Sequence, residues 1–226
     1  MNQDKIFTIM GIQFSPISHA EKILSGVGAF LAIYAIYQIS SLLLGSDAML
    51  LVASMGAAAV LLFSVPHGAL SQPWPLFGGN LISACVGVAC ALYISDTFVA
   101  AAAAVGIAII IMHYLHCIHP PAGATAVLAV IGGDAIHTLG FSYVITPTLL
   151  NVLVLFLVAV VFNYGFKWRR YPANLIKESD VKTKQLKSEM ISHQGIEHAL
   201  KQIDSFVDVS EQELQRIYQL AREFDE

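Results

Sequence analysis

The 226-residue sequence predicts an all-α membrane protein: about six transmembrane or half-membrane helices in two three-segment repeats, followed by a cytoplasmic helical tail. Three observations predict it. Hydrophobic residues make up 56% of the chain and charged residues 12%, with a mean hydropathy of +0.67. All twelve Lys and Arg lie at or before Lys22 or at or after Lys167, and the block from Ile23 to Phe166 holds only three acids, Asp47, Asp96 and Asp134. Breakers cut that block into apolar runs, most of them near the roughly 20 residues that cross a hydrocarbon core. No water-facing surface can be built from it, which excludes collagenous, disordered, disulfide-scaffold and nucleic-acid-binding classes. The chain is divided into an N-terminal cytoplasmic segment (1–22), a transmembrane domain (23–166) and a cytoplasmic helical tail (167–226).

The segments follow in order. The first runs from Ile23 to Leu44 and ends at Gly45-Ser46-Asp47. It follows no Arg-rich presequence and no small-residue cleavage site, so a retained span is expected. The second, Ala48 to Val65, stops at Pro66, and an uncharged connection rich in Pro and Gly leads to the third, Asn80 to Ser95. The fourth covers Thr97 to Leu115. A short fifth, Ala122 to Ile131, follows His119-Pro120-Pro121 and is half a span long, so it either crosses or re-enters. The sixth, Thr146 to Phe166, meets Lys167-Trp168-Arg169-Arg170, which puts the C-terminus in the cytoplasm by the positive-inside rule. Six crossings place all three acids outside; five would separate the termini. The expected location is a bacterial inner membrane.

Gly56-Ala57-Ala58-Ala59-Val60-Leu61 matches Gly123-Ala124-Thr125-Ala126-Val127-Leu128 at all but one position. The match reads either as two inverted three-segment repeats, the plan that builds midplane sites in transporters, or as Ala-rich helices sharing the needs of close packing.

Two successive prolines end a helix and suit the first turn of the next. The new helix start at Ala122 would present free N–H groups and a positive dipole end, a site for a small anion; the alternative is a kinked helix with no ligand. Candidate solute-binding residues are His119, Pro120, Pro121, Gly123, Ala124 and Thr125, with Gly56 and Ala57 as an opposing helix start and Gln72 and Asn80 as neutral donors. One helix end contributes at most about 2 kcal/mol, so two opposed starts and side-chain donors are required. Asn151 and Asn163 fit interhelix hydrogen bonds.

The run His119 to Ala126 resembles the signature of the HPP family of integral membrane proteins, with further likeness at Gly56 to Phe63, Gln72-Pro73, Gly78-Gly79-Asn80 and Met112. Plastid and cyanobacterial relatives are associated with nitrite transport, so the resemblance implies a permease or channel for a small inorganic anion such as nitrite. The alternative is a membrane sensor or scaffold that signals through its tail.

His113, His116 and His119 recur every three residues, which reads either as a proton relay or Cu/Zn/Ni site or as interfacial polar residues plus one motif His. Pro120 interrupts the helix that would present them together, so no metal site is expected, while a His119 that shuttles a proton with the anion stays open. Cys85, Cys90 and Cys117 read as small buried residues. No cofactor or enzymatic activity is expected, because the spans hold no carboxylate pair and no nucleotide-binding fingerprint. The expected partners are the anion, the lipid bilayer and, through Gly26-Val27-Gly28-Ala29 and Ala100 to Ala108, further copies of the chain. In the tail, Ser210-Glu211-Gln212-Glu213 is a capping box ahead of an apolar stripe containing Leu214, Ile217 and Tyr218.

Overall fold

The computed structural model describes residues 17–44, 48–175, 214 and 218, and among these every regular element is helical. The chain forms two compact units, one of residues 1–22 with 179–226, the other of residues 23–178. In the first, the predicted tail stripe and its capping box lie outside the described residues apart from Leu214 and Tyr218, both helical.

Helix α1 (His19–Leu44) begins where the Ser18 hydroxyl accepts the Glu21 N–H at 3.2 Å, a capping arrangement. Its 26 residues measure about 39 Å at 1.5 Å per residue, enough to cross a bilayer. Helix α2 (Ala48–Ser64) stops ahead of Pro66, which disfavours helical backbone at Val65. A 3₁₀ turn (Ala69–Ser71) leads to α3 (Pro73–Tyr93), with Pro73 at the first helical position, where its missing N–H leaves no bond unmade. Helix α3 therefore starts seven residues before the expected Asn80. Asp96 caps α4 (Thr97–Tyr114) by accepting the Val99 N–H at 2.9 Å. Helix α5 (Ala122–Ile131) is 10 residues, about 15 Å, or half a hydrocarbon core. Gly133, at φ +73°, turns the chain into a single helical turn, Asp134–His137. The last span does not start cleanly at Thr146. A π-helical turn (Val144–Leu149) absorbs Pro147 and runs straight into α6 (Leu150–Tyr164).

Side-chain contacts fix the directions. Gly79 lies beside His119, Asn80 bonds Thr125, and Gly87 packs on Ala126 and Ala129, so α3 and α5 rise together. Ser40 bonds Asn151 while Gly28 meets Phe162, so α1 and α6 are antiparallel. Phe63 stacks edge-on against Phe162, so α2 runs with α6. The α1–α3 triplet is thus up-down-up and the α4–α6 triplet down-up-down, the relation an inverted repeat requires.

Three apolar clusters result, one centred on α1, α2 and α6, one on α3, α4 and α5, and one where α3 and α5 meet Ile136, Tyr143 and Val144. Small residues set the second: Ala100, Ala104 and Ala108 are buried, and Gly87 lets α3 approach α5 at van der Waals distance. Gly28 is likewise spent inside the chain, against Phe63 and Phe162. Of the small-residue faces expected to join copies of the chain, Gly28, Ala100, Ala104 and Ala108 pack internally, whereas Gly26, Val27, Ala102 and Gly106 are exposed.

Candidate functional site

The site is the break between α4 and α5, and α4 ends before the prolines are reached. His116 adopts φ +53°, the left-handed position that usually falls to glycine. The Cys117 N–H then returns to Met112 O at 3.0 Å and the His116 N–H to His113 O at 3.2 Å, completing a Schellman cap. Trp74 Nε1 donates to Leu115 O at 3.0 Å and pins the start of α3 to this cap.

Beyond the cap the chain turns inward. His119, Pro121 and Thr125 are buried, whereas Pro120 and Ala124 are exposed and Gly123 is half-buried. His119 Nδ1 lies 2.9 Å from Leu70 O, in the 3₁₀ turn before α3. A β-carbon on Gly79 would sit only 2.7 Å from His119 Cβ, so glycine is what lets α3 pass this close. Thr125 Oγ1 donates to Asn80 Oδ1 at 2.7 Å, Asn80 Nδ2 donates to Leu76 O at 2.8 Å, and the Tyr143 hydroxyl donates to Thr125 O at 3.1 Å. His119 Nε2 and Ser83 Oγ are buried and have no partner. Gly79, Asn80, Ser83 and Gly87 share one face of α3, so these groups form a polar seam between α3 and α5.

Of the predicted residues, the fold brings together His119, Thr125 and Asn80. It does not bring in Gly56 and Ala57, which lie in the interior of α2 rather than at a helix start. No proline precedes them, and Ser54 lies within an unbroken helix rather than at its start, so the helix continues and their amides stay in its ladder. Gly56 instead lines an almost wholly apolar cavity of about 600 Å³ with Ala29, Phe30, Ile33, Tyr34 and Val52. Gln72 is engaged by backbone. Its Nε2 donates to Pro66 O (3.1 Å) and Gly68 O (2.9 Å), and its Oε1 accepts the Ala173 N–H (3.1 Å).

The expected free amides of the α5 start are occupied as well. The N–H groups of Ala122, Gly123 and Ala124 donate to His119 O, Pro120 O and Pro121 O at 2.9, 3.2 and 3.0 Å. Such tight i→i−3 bonds are the local way to satisfy orphan donors at a helix end. The dipole remains, but the open amide cradle is not formed here. His113 and His116 are exposed and diverge from buried His119. Cys90 and Cys117 are buried as expected, whereas Cys85 is exposed.

Residues just past α6 hold the end of the bundle at which α2 and α6 finish. Arg169 is buried and donates to Phe63 O (2.6 Å), Asn163 Oδ1 (3.1 Å) and Ser25 Oγ (3.2 Å). The buried Tyr171 hydroxyl donates to Ser71 O at 2.8 Å, and His67 Nε2 donates to Arg170 O at 3.2 Å. Burial pushes the Tyr171 phenol above its ordinary range, so it stays a donor. This strap belongs to the same compact unit as α1 to α6, which spans residues 23–178. Sequence reasoning missed Arg169, which counted only as part of the basic run that closes the last segment, and Ser83, whose only signal is its spacing from Asn80.

Comparison with known proteins agrees with this architecture. Two transmembrane proteins of Dictyostelium discoideum are each 38% identical to it, one over 130 residues and the other over 133. The alignments cover 56% and 57% of this chain but 42% and 46% of the relatives, so the chain matches less than half of their length. No solved structure matches significantly. The HPP transmembrane region matches residues 15–172, a stretch that holds α1 to α6, the His-Pro-Pro break and most of the strap. This integral membrane protein belongs to the HPP transmembrane family.

Proposed function

We propose that the chain is a permease for a small inorganic anion, with nitrite the first candidate, and that the solute moves along the seam between α3 and α5. The observation that carries this reading is His119: fully buried, at a break in the helices, with Nε2 unpartnered. An unsatisfied buried polar atom costs about 1–3 kcal/mol. In native structures each such group requires an explanation, and contact with a bound solute or ion is one of them. The opposed directions of the two helix triplets support it further, because inverted repeats with a short, interrupted helix are a transporter plan.

On this reading the binding residues are His119, Asn80, Thr125 and Ser83, and the helix dipole of α5 assists them. The close approaches at Gly79 and Gly87 seal the seam, so passage requires α3 and α5 to part. The cytoplasmic side is the end bearing Lys167 and the strap, by the positive-inside rule.

Flux assays with the purified full chain in liposomes test the proposal. Nitrite movement well above that of protein-free vesicles is expected, with nitrate, formate and chloride compared under the same gradient. Folded protein silent toward all four ions would overturn it and leave the sensor or scaffold reading.

A further inference from the structure

We infer that His119 is a proton acceptor in this passage, so that the anion crosses together with a proton rather than as a bare charge; the inference rests on the permease reading. It starts from a tautomer. Leu70 O can only accept, so the Nδ1 that lies 2.9 Å away carries a hydrogen whether the ring is neutral or charged. In the neutral ring Nε2 is then a bare lone pair, fully buried and without a donor.

The donors around it are directed elsewhere. Thr125 donates to Asn80, Asn80 to Leu76 O, and Tyr143 to Thr125 O. A bare anion reaching Nε2 would meet a lone pair in a block without Lys or Arg, and desolvating it there costs several kcal/mol. A protonated weak acid meets what the site lacks. Its O–H bond breaks as the Nε2–H bond forms, giving an imidazolium beside the conjugate anion with no change in total charge. Reversal on the far side releases the acid. Ser83 Oγ, one helical turn beyond Gly79 on α3 (about 6 Å at 1.5 Å per residue), is a buried unpartnered hydroxyl that can take the anion, as is Thr148 Oγ1 in the π-helical turn ahead of α6.

No other group in the surrounding elements competes for this proton. Helices α3 and α5 carry no Asp, Glu, Lys or Arg; the titratable side chains of α3 are Cys85, Cys90 and Tyr93. Cys117 packs on Gly78, and His113 of α4 is exposed. His67 and Tyr171 donate to Arg170 O and Ser71 O, and Tyr143 donates to Thr125 O. Arg169 reaches Phe63 O, and the Arg170 guanidinium lies over the Tyr164 ring at 5.5 Å.

The test is full-length protein in liposomes carrying an internal pH dye, with an inward nitrite gradient and the membrane potential clamped at several values. Nitrite uptake is expected to acidify the lumen in step with nitrite entry, to quicken as external pH falls, and to ignore the potential. His119→Asn places an amide N–H near the Nδ1 position and keeps a donor for Leu70 O. It is expected to retain the melting temperature and lose at least about tenfold of the uptake and its acidification. Potential-driven nitrite flux without acidification, or wild-type coupling in His119→Asn, would overturn the inference while leaving the permease standing. Absence of any flux in wild type would overturn both.

Discussion

Replacing Gly87 by alanine is expected to lower the melting temperature of the detergent-solubilised protein by about 3–10 °C. The added β-carbon would sit 2.5 Å from Ala126 O and 2.7 Å from Ala129 Cβ. The first of these is backbone, which cannot rotate away, so α3 and α5 must separate. Overpacking of this kind costs about 1–3 kcal/mol, and for a chain of this size each kcal/mol moves the midpoint by about 2–4 °C. Gly106→Ala is the matched comparison. Nothing lies within 4 Å of its new β-carbon, so only helix propensity acts, in the stabilising direction by up to about 1 kcal/mol. Equal melting temperatures for the two variants would mean that α3 and α5 are not packed as described.

Arg169→Ala is expected to destabilise by about 3 kcal/mol or more. Its guanidinium joins three helices at once, through Ser25 of α1, the Phe63 carbonyl at the end of α2, and Asn163 of α6. Hydrogen bonds from a charged donor contribute about 1.5–3 kcal/mol each, and a cation is favoured at the helix C-terminus where Phe63 O lies. Arg169→Lys keeps the charge but loses the planar fork, so it should fall between alanine and wild type. Lys167→Ala, at an exposed position two residues away, should change little. Thermal or denaturant unfolding of the three variants checks the order; an Arg169→Ala variant as stable as Lys167→Ala would remove the strap from the account.

Much of this fold could be read from charge and hydropathy alone, because lipid leaves the backbone few choices besides helices. The basic-free stretch marked the helical block, and Pro120-Pro121 marked the one break in it that matters. The match between residues 56–61 and 123–128 suggested a pair of repeats, whereas the alternating helix directions follow already from six consecutive segments joined by short connections. That match misled about geometry, since Gly56 has no breaker before it and stays inside α2. The helix start at Ala122 misled in a different way. Sequence shows that its amides lack i−4 partners but not that the carbonyls of residues 119–121 fold back to take them. Gln72 looked like a donor for solute, yet its amide is consumed by loop and strap backbone that only the tertiary fold brings near. The tautomer of His119 depends on Leu70, 49 residues away, and no local pattern encodes it.

The seam itself can be tested by its reactivity during transport. Ser83→Cys, placed in a background with Cys85, Cys90 and Cys117 replaced by alanine, puts a single thiol on the α3 face between Asn80 and Gly87. With nitrite flux followed in liposomes, a small thiol reagent is expected to modify this cysteine and block uptake, and saturating nitrite should slow the modification. Continued flux with the cysteine fully modified, or a cysteine that never reacts while the protein transports, would show that solute does not travel between α3 and α5.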